Sequence, residues 1–278
     1  MKKFKYLYTD GCSHTAGGGM EKWKMDIINC YKEKYNIDIK HHRDCAWPKL
    51  LATKLNLKLE DRSESGAGAD RIWRQAWEYC NGNLEKAKET IFILEVPSFL
   101  NRSDVRFKDD KWVICNTEWN EDGDIDSIEM VDSYDSRTTL EDLPTKKELY
   151  TKYLTTFTDY GTWEQSVYFK LAGLISYFRL NNIKFYIIPN GIYYTIFNSS
   201  YGLDVEENLL KVEYKNNSYN EFTGLANQNG LQICNDLSEY NDKYEVTKDG
   251  HPGYFAHKIW ADGVYDFLST QNLEDSKI

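Results

Sequence analysis

The sequence lacks a long apolar run, and no stretch reaches the ~18 consecutive apolar residues that mark a membrane-spanning helix. The first eight residues are basic and then strand-like, without the apolar centre and cleavage site of a secretory signal. Basic residues are fewer than acidic residues, and the formal net charge is −10. Proteins that wrap a phosphate backbone favour a basic surface instead. We therefore expect a cytoplasmic protein that binds neither membranes nor nucleic acids.

The cysteines lack the close pairing that is typical of a zinc site. They are widely spaced and none forms a Cys-x-x-Cys pair, so the spacing gives a zinc site no support. The set consists of Cys12, Cys30, Cys45, Cys80, Cys115 and Cys234. Without a secretory signal, these side chains are expected to be reduced thiols that mostly pack in the interior. We expect neither a metal nor a cofactor.

Apolar periodicity predicts strands that alternate with helices along the chain. The predicted strands are residues 3–10, 57–61, 90–96 and 183–189, with a short last strand at 231–234. The predicted helices are residues 47–56, 70–80, 162–180 and 254–268. This alternation indicates an α/β fold with a parallel sheet between two layers of helices. In such sheets the functional site lies beyond the carboxyl ends of the strands.

Two segments interrupt the alternation and are predicted to be insertions into a single domain of residues 1–278. The first, residues 20–45, is polar and partly helical. The second, residues 99–160, is acidic, with fourteen Asp or Glu between residues 101 and 150, and contains short strand-like pieces such as 112–115. Either insertion would suit a lid or an assembly surface at the rim of the sheet.

Chemically reactive side chains occur at both ends of the chain. The first strand runs into YTDGCSHTAGGG, residues 8–19, which offers the hydroxyl of Ser13 beside a thiol and an imidazole. Near the other end, DGHPGYFAH at residues 249–257 contains Asp249 and His251. A serine hydroxyl needs a general base to become a nucleophile near neutral pH. The order Ser, Asp, His is therefore that of a possible catalytic triad.

These motifs resemble those of the SGNH hydrolases, also called GDSL esterases or lipases. The GCSHT of residues 11–15 resembles the family's first motif, Gly-Asp-Ser-x-Thr, with Cys12 in place of Asp. The SGAGADRI of residues 65–72 resembles the second motif, whose glycine aligns with Gly66, and DGHP at 249–252 resembles the last. The stretch at residues 46–72 also resembles a subgroup often met in bacteriophage genomes.

The resemblance implies a three-layer α/β/α sandwich with a flavodoxin-like sheet of about five strands. It implies that Ser13 is the nucleophile, His251 the base and Asp249 the residue that orients the imidazole. The Asp249-x-His251 spacing is one residue shorter than in many members of the family. The backbone N–H groups of Ser13 and Gly66 would form two parts of the oxyanion hole.

The family's third motif, Gly-x-Asn-Asp, has no counterpart here, because EVPSFLNR follows the third predicted strand at residues 95–102. We expect Ser98 or Asn101 to supply the third oxyanion donor. The missing asparagine also keeps open an alternative function, in which a catalytically impaired fold serves as a binding or virion-assembly component. In that setting the location would be the host cytoplasm or the virion.

The resemblance implies a hydrolase for carboxylic esters, with an O-acetyl ester on a carbohydrate as the favoured substrate. The many tyrosines and tryptophans are consistent with carbohydrate binding. A thioester or lipid substrate is a further alternative, but no apolar lid helix is evident. The oligomeric state is left open.

Several neighbouring residues have two interpretations. Cys12 is expected to be a small buried thiol rather than the nucleophile, and His257 is expected to pack on a helix face rather than act as the base. His14 either lines the substrate site or is simply exposed. Glu95 either belongs to the site or pairs with Arg102, and the sequence favours the pairing.

Overall fold

A computed structural model of the protein describes residues 4–17, 26–36, 41–64, 66–96, 102–106, 112–120, 122, 125–132, 143–157, 160–189, 205–238 and 250–271. The strands in chain order are β1 (Tyr6–Asp10), β2 (Lys58–Asp61), β3 (Thr90–Glu95), β4 (Arg102–Arg106), β5 (Trp112–Trp119), β6 (Ile125–Asp132), β7 (Lys184–Ile188), β8 (Val212–Tyr214) and β9 (Asn217–Tyr219). The helices are α1 (Ser13–Ala16), α2 (Asp26–Tyr35), α3 (Trp47–Leu55), α4 (Ala69–Gly82), α5 (Leu84–Lys88), α6 (Leu143–Phe157), α7 (Tyr160–Leu180), α8 (Phe222–Gln228), α9 (Ile233–Asp236) and α10 (Tyr254–Thr270).

The central sheet has four parallel strands in the order β2-β1-β3-β7. Strand β3 is buried along its whole length, as its uninterrupted apolar sequence predicts for a strand covered on both faces. Alternate side chains of β3 pack into two separate hydrophobic cores, one on each face of the sheet. Phe92 and Leu94 pack with α4 and α7, whereas Ile91 and Ile93 pack with α3, α8 and α10. The predicted α/β architecture, with helices on both faces of a parallel sheet, is therefore confirmed.

The predicted strand at residues 231–234 is wrong. Residues from Ile233 onward form the short helix α9, and Gln232 makes only an isolated antiparallel bridge with Pro252. The backbone N–H of Ile233 donates to the carbonyl of His251 at 2.9 Å, so this segment supports the loop before α10. Beyond β7, Leu209 makes a single parallel bridge to Ile187 at the outer edge of the sheet.

The apolar spacing of the second predicted helix, residues 70–80, predicts that Trp77 faces inward. This prediction is also wrong, since the Trp77 side chain is 44% exposed. The same helix, α4, covers the sheet with Ile72, Trp73 and Ala76. Trp77 lies beside them, and its ring centroid is 4.5 Å from that of Tyr177 on α7. It therefore closes the edge of the α4–α7 contact rather than the core.

Both predicted insertions contain regular structure. Strands β4, β5 and β6 form an antiparallel sheet, and Leu154 of α6 packs on it against Cys115 and Ile128. Helix α2 lies against the start of α10, where the Tyr31 hydroxyl accepts a hydrogen bond from the Tyr254 N–H at 3.1 Å. No helix within the described ranges has both the length and the apolar character needed to cross a membrane.

Candidate active site

Ser13 and His251 meet at the carboxyl end of β1. Ser13 is the first residue of α1, one turn of helix that follows the strand. His251 precedes α10, and its Nε2 lies 3.3 Å from Ser13 Oγ, although 238 residues separate the two in sequence. This distance allows one hydrogen bond. The predicted proximity of the two side chains is present in the structure.

The loop that carries His251 is fixed on two sides. The His251 carbonyl accepts the N–H of Ile233, and the Gly253 N–H donates to the carbonyl of Leu231 at 2.8 Å. Ring contacts from α2 reach the start of α10, with Tyr35 and Phe255 centroids 4.9 Å apart. The imidazole is therefore held by backbone bonds and by the helix of the first insertion.

The turn between β1 and α1 is held closely against the end of β3. The Thr15 hydroxyl donates to the carboxylate of Glu95, which is completely buried. A Cβ atom at Gly11 would lie 2.8 Å from Glu95 Oε2, so no larger residue fits without movement. The sequence favoured pairing of Glu95 with Arg102, whereas the structure shows Glu95 in contact with the Ser13 loop.

His14 lies close to Cys12 and Glu95, and its side chain is 20% exposed. Its Nδ1 is 3.4 Å from Cys12 Sγ and 3.8 Å from Glu95 Oε1. Burial lowers the pKa of His14, but charge and hydrogen-bonding effects of Cys12 and Glu95 outweigh burial and raise it to about 10. The His14 and His251 ring centroids are 5.6 Å apart, so His14 belongs to the site. Cys12 is buried, as the sequence predicts.

A buried network of charged side chains contacts the turn between β1 and α1. Arg71 of α4 lies 3.3 Å from Asp10 and 2.6 Å from Glu64, and it also donates to the carbonyl of Arg62 at 2.8 Å. Asp10 in turn accepts the N–H of Gly11 at 2.9 Å. Burial raises the pKa of Asp10 well above its usual range, and Arg71 and the Gly11 N–H only partly offset this. The network links α4 to the turn that carries Ser13.

The second motif forms a turn next to the first. The N–H of Glu64 donates to the Gly11 carbonyl at 3.1 Å, and the N–H of Ala67 donates back to the Glu64 carbonyl at 3.0 Å. Gly66 between them has φ of +83°, which is in the left-handed region that a residue without Cβ adopts most easily. Gly66 is thus positioned in the loop that adjoins the Ser13 turn.

His257 is a packing residue, as the sequence predicts. It is completely buried in α10, and its Nδ1 accepts the Trp47 N–H at the start of α3 at 3.1 Å. Its ring centroid is 4.8 Å from that of Phe222. Burial and, to a smaller degree, the charges of His14 and His251 lower the pKa of His257 to about 3. His257 is consequently neutral near pH 7.

The remaining predicted site residues, Asp249, Ser98 and Asn101, lie outside the described residues, as does Ser65 of the second motif. Their roles stay predictions. His41 is exposed.

The arrangement provides a hydroxyl next to a potential base, at the start of a helix whose first N–H groups have no intrahelical partner. Sequence reasoning missed the placement of Glu95 and Arg71, although an acid that ends an otherwise apolar strand was a usable signal. No protein-family model matches the chain, and no curated protein matches it.

Proposed function

We propose that the protein is a serine hydrolase that cleaves a carboxylic ester. The observation that carries the proposal is the 3.3 Å separation of Ser13 Oγ and His251 Nε2 at the carboxyl end of a central parallel strand. The resemblance of three motifs to the SGNH hydrolases supports the same reading. So does the strand order β2-β1-β3-β7, which corresponds to four strands of a flavodoxin-like sheet.

In the proposed reaction, Ser13 Oγ bonds to the ester carbonyl carbon while its proton passes to His251 Nε2. The bond between that carbon and the alcohol oxygen then breaks, and the alcohol leaves with the proton from His251. Water repeats these two steps and releases the acid from Ser13. These steps require His251 to begin with Nε2 unprotonated. Asp249 is the residue proposed to hold the proton on Nδ1.

Charge that develops on the carbonyl oxygen needs fixed donors. The N–H groups of Ser13 and Gly66 are the proposed donors, and Ser98 or Asn101 is proposed to complete the set. Removal of one such donor costs about 3 kcal/mol of barrier in comparable sites. Two hydrogen bonds support this interpretation, because they limit movement of the Ser13 turn: the Glu64 N–H donates to the Gly11 carbonyl, and the Thr15 hydroxyl donates to the Glu95 carboxylate.

Within carboxylic esters, we propose an O-acetyl group on a carbohydrate. The resemblance favours this class, and the aromatic-rich composition is consistent with it. Acetate release from O-acetylated oligosaccharides should exceed hydrolysis of p-nitrophenyl esters with long acyl chains. A clear preference for long chains would exclude the acetyl assignment and support a lipid substrate.

The catalytic proposal is tested by fluorophosphonate labelling and p-nitrophenyl acetate hydrolysis. Ser13→Ala should abolish labelling, and His251→Asn should reduce kcat roughly 10⁴-fold or more, because triad residues act as a unit. Ser269→Ala and His41→Asn are matched controls, since both residues are exposed. Labelling that persists in Ser13→Ala would refute the assignment. Absence of labelling and turnover in the native chain would favour the binding or virion-assembly alternative.

A further inference from the structure

A second group of chemically reactive side chains lies beside Ser13. Cys12 Sγ, His14 Nδ1 and a carboxylate oxygen of Glu95 all lie within 4.8 Å of one another. Two of these residues come from the turn after β1 and the third from the end of β3. Cysteine spacing does not predict this group, because the group contains a single cysteine and no Cys-x-x-Cys pair.

The separations are close to those around a bound metal ion. With Zn–S near 2.3 Å and Zn–N or Zn–O near 2.0–2.2 Å, ligand atoms at a tetrahedral zinc are about 3.3–3.6 Å apart. Cys12 Sγ is 3.4 Å from His14 Nδ1, and Glu95 Oε1 is 3.8 Å from the same nitrogen. The third separation, from Cys12 Sγ to the Glu95 carboxylate, is no more than 4.8 Å, so tetrahedral spacing requires the carboxylate to move closer to the other two ligands.

The surroundings also fit a metal. Cys12 is 1% exposed and Glu95 is fully buried, so water competes little for the donor atoms. The Thr15 hydroxyl donates to the Glu95 carboxylate, and metal-binding carboxylates are commonly held by such an outer hydrogen bond. Binding would release the protons of the Cys12 thiol and of His14 Nδ1, and the resulting thiolate and the Glu95 carboxylate together balance a charge of +2. The thiolate favours a borderline-soft ion over magnesium or calcium.

We propose that Cys12, His14 and Glu95 form a binding site for a borderline-soft divalent cation, with Zn²⁺ the best chemical fit. The three protein ligands leave a fourth position for water or a substrate oxygen. The ion would join the turn that carries Ser13 to the end of β3. A nucleophilic role for Cys12 fits the structure less well, because the thiol is almost completely buried.

The site does not depend on the proposed esterase activity, and Ser13→Ala separates the two, because it removes the hydroxyl and keeps all three ligands. Untagged full-length chain, kept reduced, would be dialysed against Zn²⁺ or Co²⁺ and assayed for bound metal. We expect one ion per chain in both the native protein and Ser13→Ala. The Co²⁺ form should show a thiolate-to-metal charge-transfer band and the intense visible bands of four-coordinate cobalt.

Matched variants test the ligands. Cys12→Ser should abolish the charge-transfer band, whereas Cys234→Ser should keep it, because Cys234 lies outside the group. Thr15→Val should weaken binding by about 10–100-fold, the usual effect of losing an outer hydrogen bond, and Glu95→Gln should weaken it further.

Two results would overturn the proposal without reference to any variant's folding: a native chain with less than stoichiometric metal after dialysis, or a Co²⁺ spectrum without a thiolate band. Retention of the band in Cys12→Ser would also overturn it. Failure of esterase activity with intact metal binding would count against the proposed function alone.

Discussion

The burial of His257 predicts that the protein loses stability in mild acid. The imidazole is completely buried between α10 and α3, and its Nδ1 accepts the Trp47 N–H. Protonation would place a charge in this interior and would remove the acceptor from that N–H. Burial and, to a smaller degree, the charges of His14 and His251 lower the pKa of His257 in the folded chain to about 3, against 6.5 for an ordinary histidine.

The sign of the effect follows from proton uptake. Between pH 6.5 and about 3 the unfolded chain holds a proton on residue 257 that the folded chain does not, so the free energy of unfolding falls as the pH falls. At pH 4 the two pKa values give a loss of about 3 kcal/mol relative to pH 7.5. This loss is a large fraction of the ~5–15 kcal/mol that typically stabilises a folded domain.

The measurement is urea denaturation at a series of pH values, on the native chain and on His257→Asn. The amide oxygen of asparagine can replace Nδ1 as acceptor for Trp47, but the side chain does not titrate. We expect His257→Asn to be less stable at pH 7.5, because it loses ring contacts with Phe222. Its loss of stability between pH 7.5 and pH 4 should be about 3 kcal/mol smaller than that of the native chain.

The exposed His41 supplies the control. His41→Asn makes the same replacement at an exposed position, and it should change the fall in stability between pH 7.5 and pH 4 less than His257→Asn does. Buried groups that are not coupled to His257, such as Asp10, contribute alike to all three curves, so the difference between the curves reports on His257 and the histidines coupled to it. Parallel curves for His257→Asn and the native chain would refute the reasoning, because they would mean that the ring takes up its proton at the same pH in the folded and the unfolded chain.

Four further substitutions test local packing by urea denaturation. Arg71→Met should destabilise the fold by about 3 kcal/mol or more, because its two buried carboxylate partners lose their counter-charge; a change below about 1 kcal/mol would contradict the network. Gly11→Ala should lower both stability and ester hydrolysis, since its Cβ would lie 2.8 Å from a buried carboxylate oxygen, and unchanged activity would argue against a fixed turn. A Cβ atom added at Gly173, on an exposed part of α7, would meet nothing within 4 Å, so Gly173→Ala should stabilise the fold by up to about 1 kcal/mol. A Cβ atom added at Gly263 would lie 3.1 Å from a valine Cβ on β8, so Gly263→Ala should destabilise the fold. The opposite order for this pair would show that helix propensity does not decide the outcome at these positions.

Most of the sheet and its covering helices could be predicted from apolar periodicity. Strand β3 is an unbroken apolar run and α4 repeats its apolar residues at helical spacing, so each pattern has one interpretation. Residues 231–234 have no such pattern, because a run of four residues fits a strand or one turn of helix equally well. Here a tertiary contact decides the outcome: the Ile233 N–H bonds to the His251 carbonyl and not to a neighbouring strand.

The residues of the candidate site that follow a strand end could be predicted from the sequence. Its buried charged residues could not. Ser13 follows β1, and that position alone indicates the rim of a parallel sheet. Arg71 and Glu95 looked like ordinary charged residues, because the sequence does not reveal which charges the fold buries. Their partners are distant in sequence, with Glu95 and Thr15 eighty residues apart, so only the assembled fold brings them together.

The turn after β1 connects the two proposals made for this protein. Cys12 has an extended backbone and Ser13 begins the helix, so consecutive side chains leave the turn in different directions. The serine hydroxyl reaches His251, whereas the thiol and the imidazole of His14 reach Glu95. Because one short segment carries both groups, replacing a residue that ties the turn to β3 also changes how firmly Ser13 is held. Loss of activity in a Cys12 or Glu95 variant therefore does not identify a catalytic residue, and only separate measurements of metal content and Ser13 labelling distinguish a displaced nucleophile from a lost ligand.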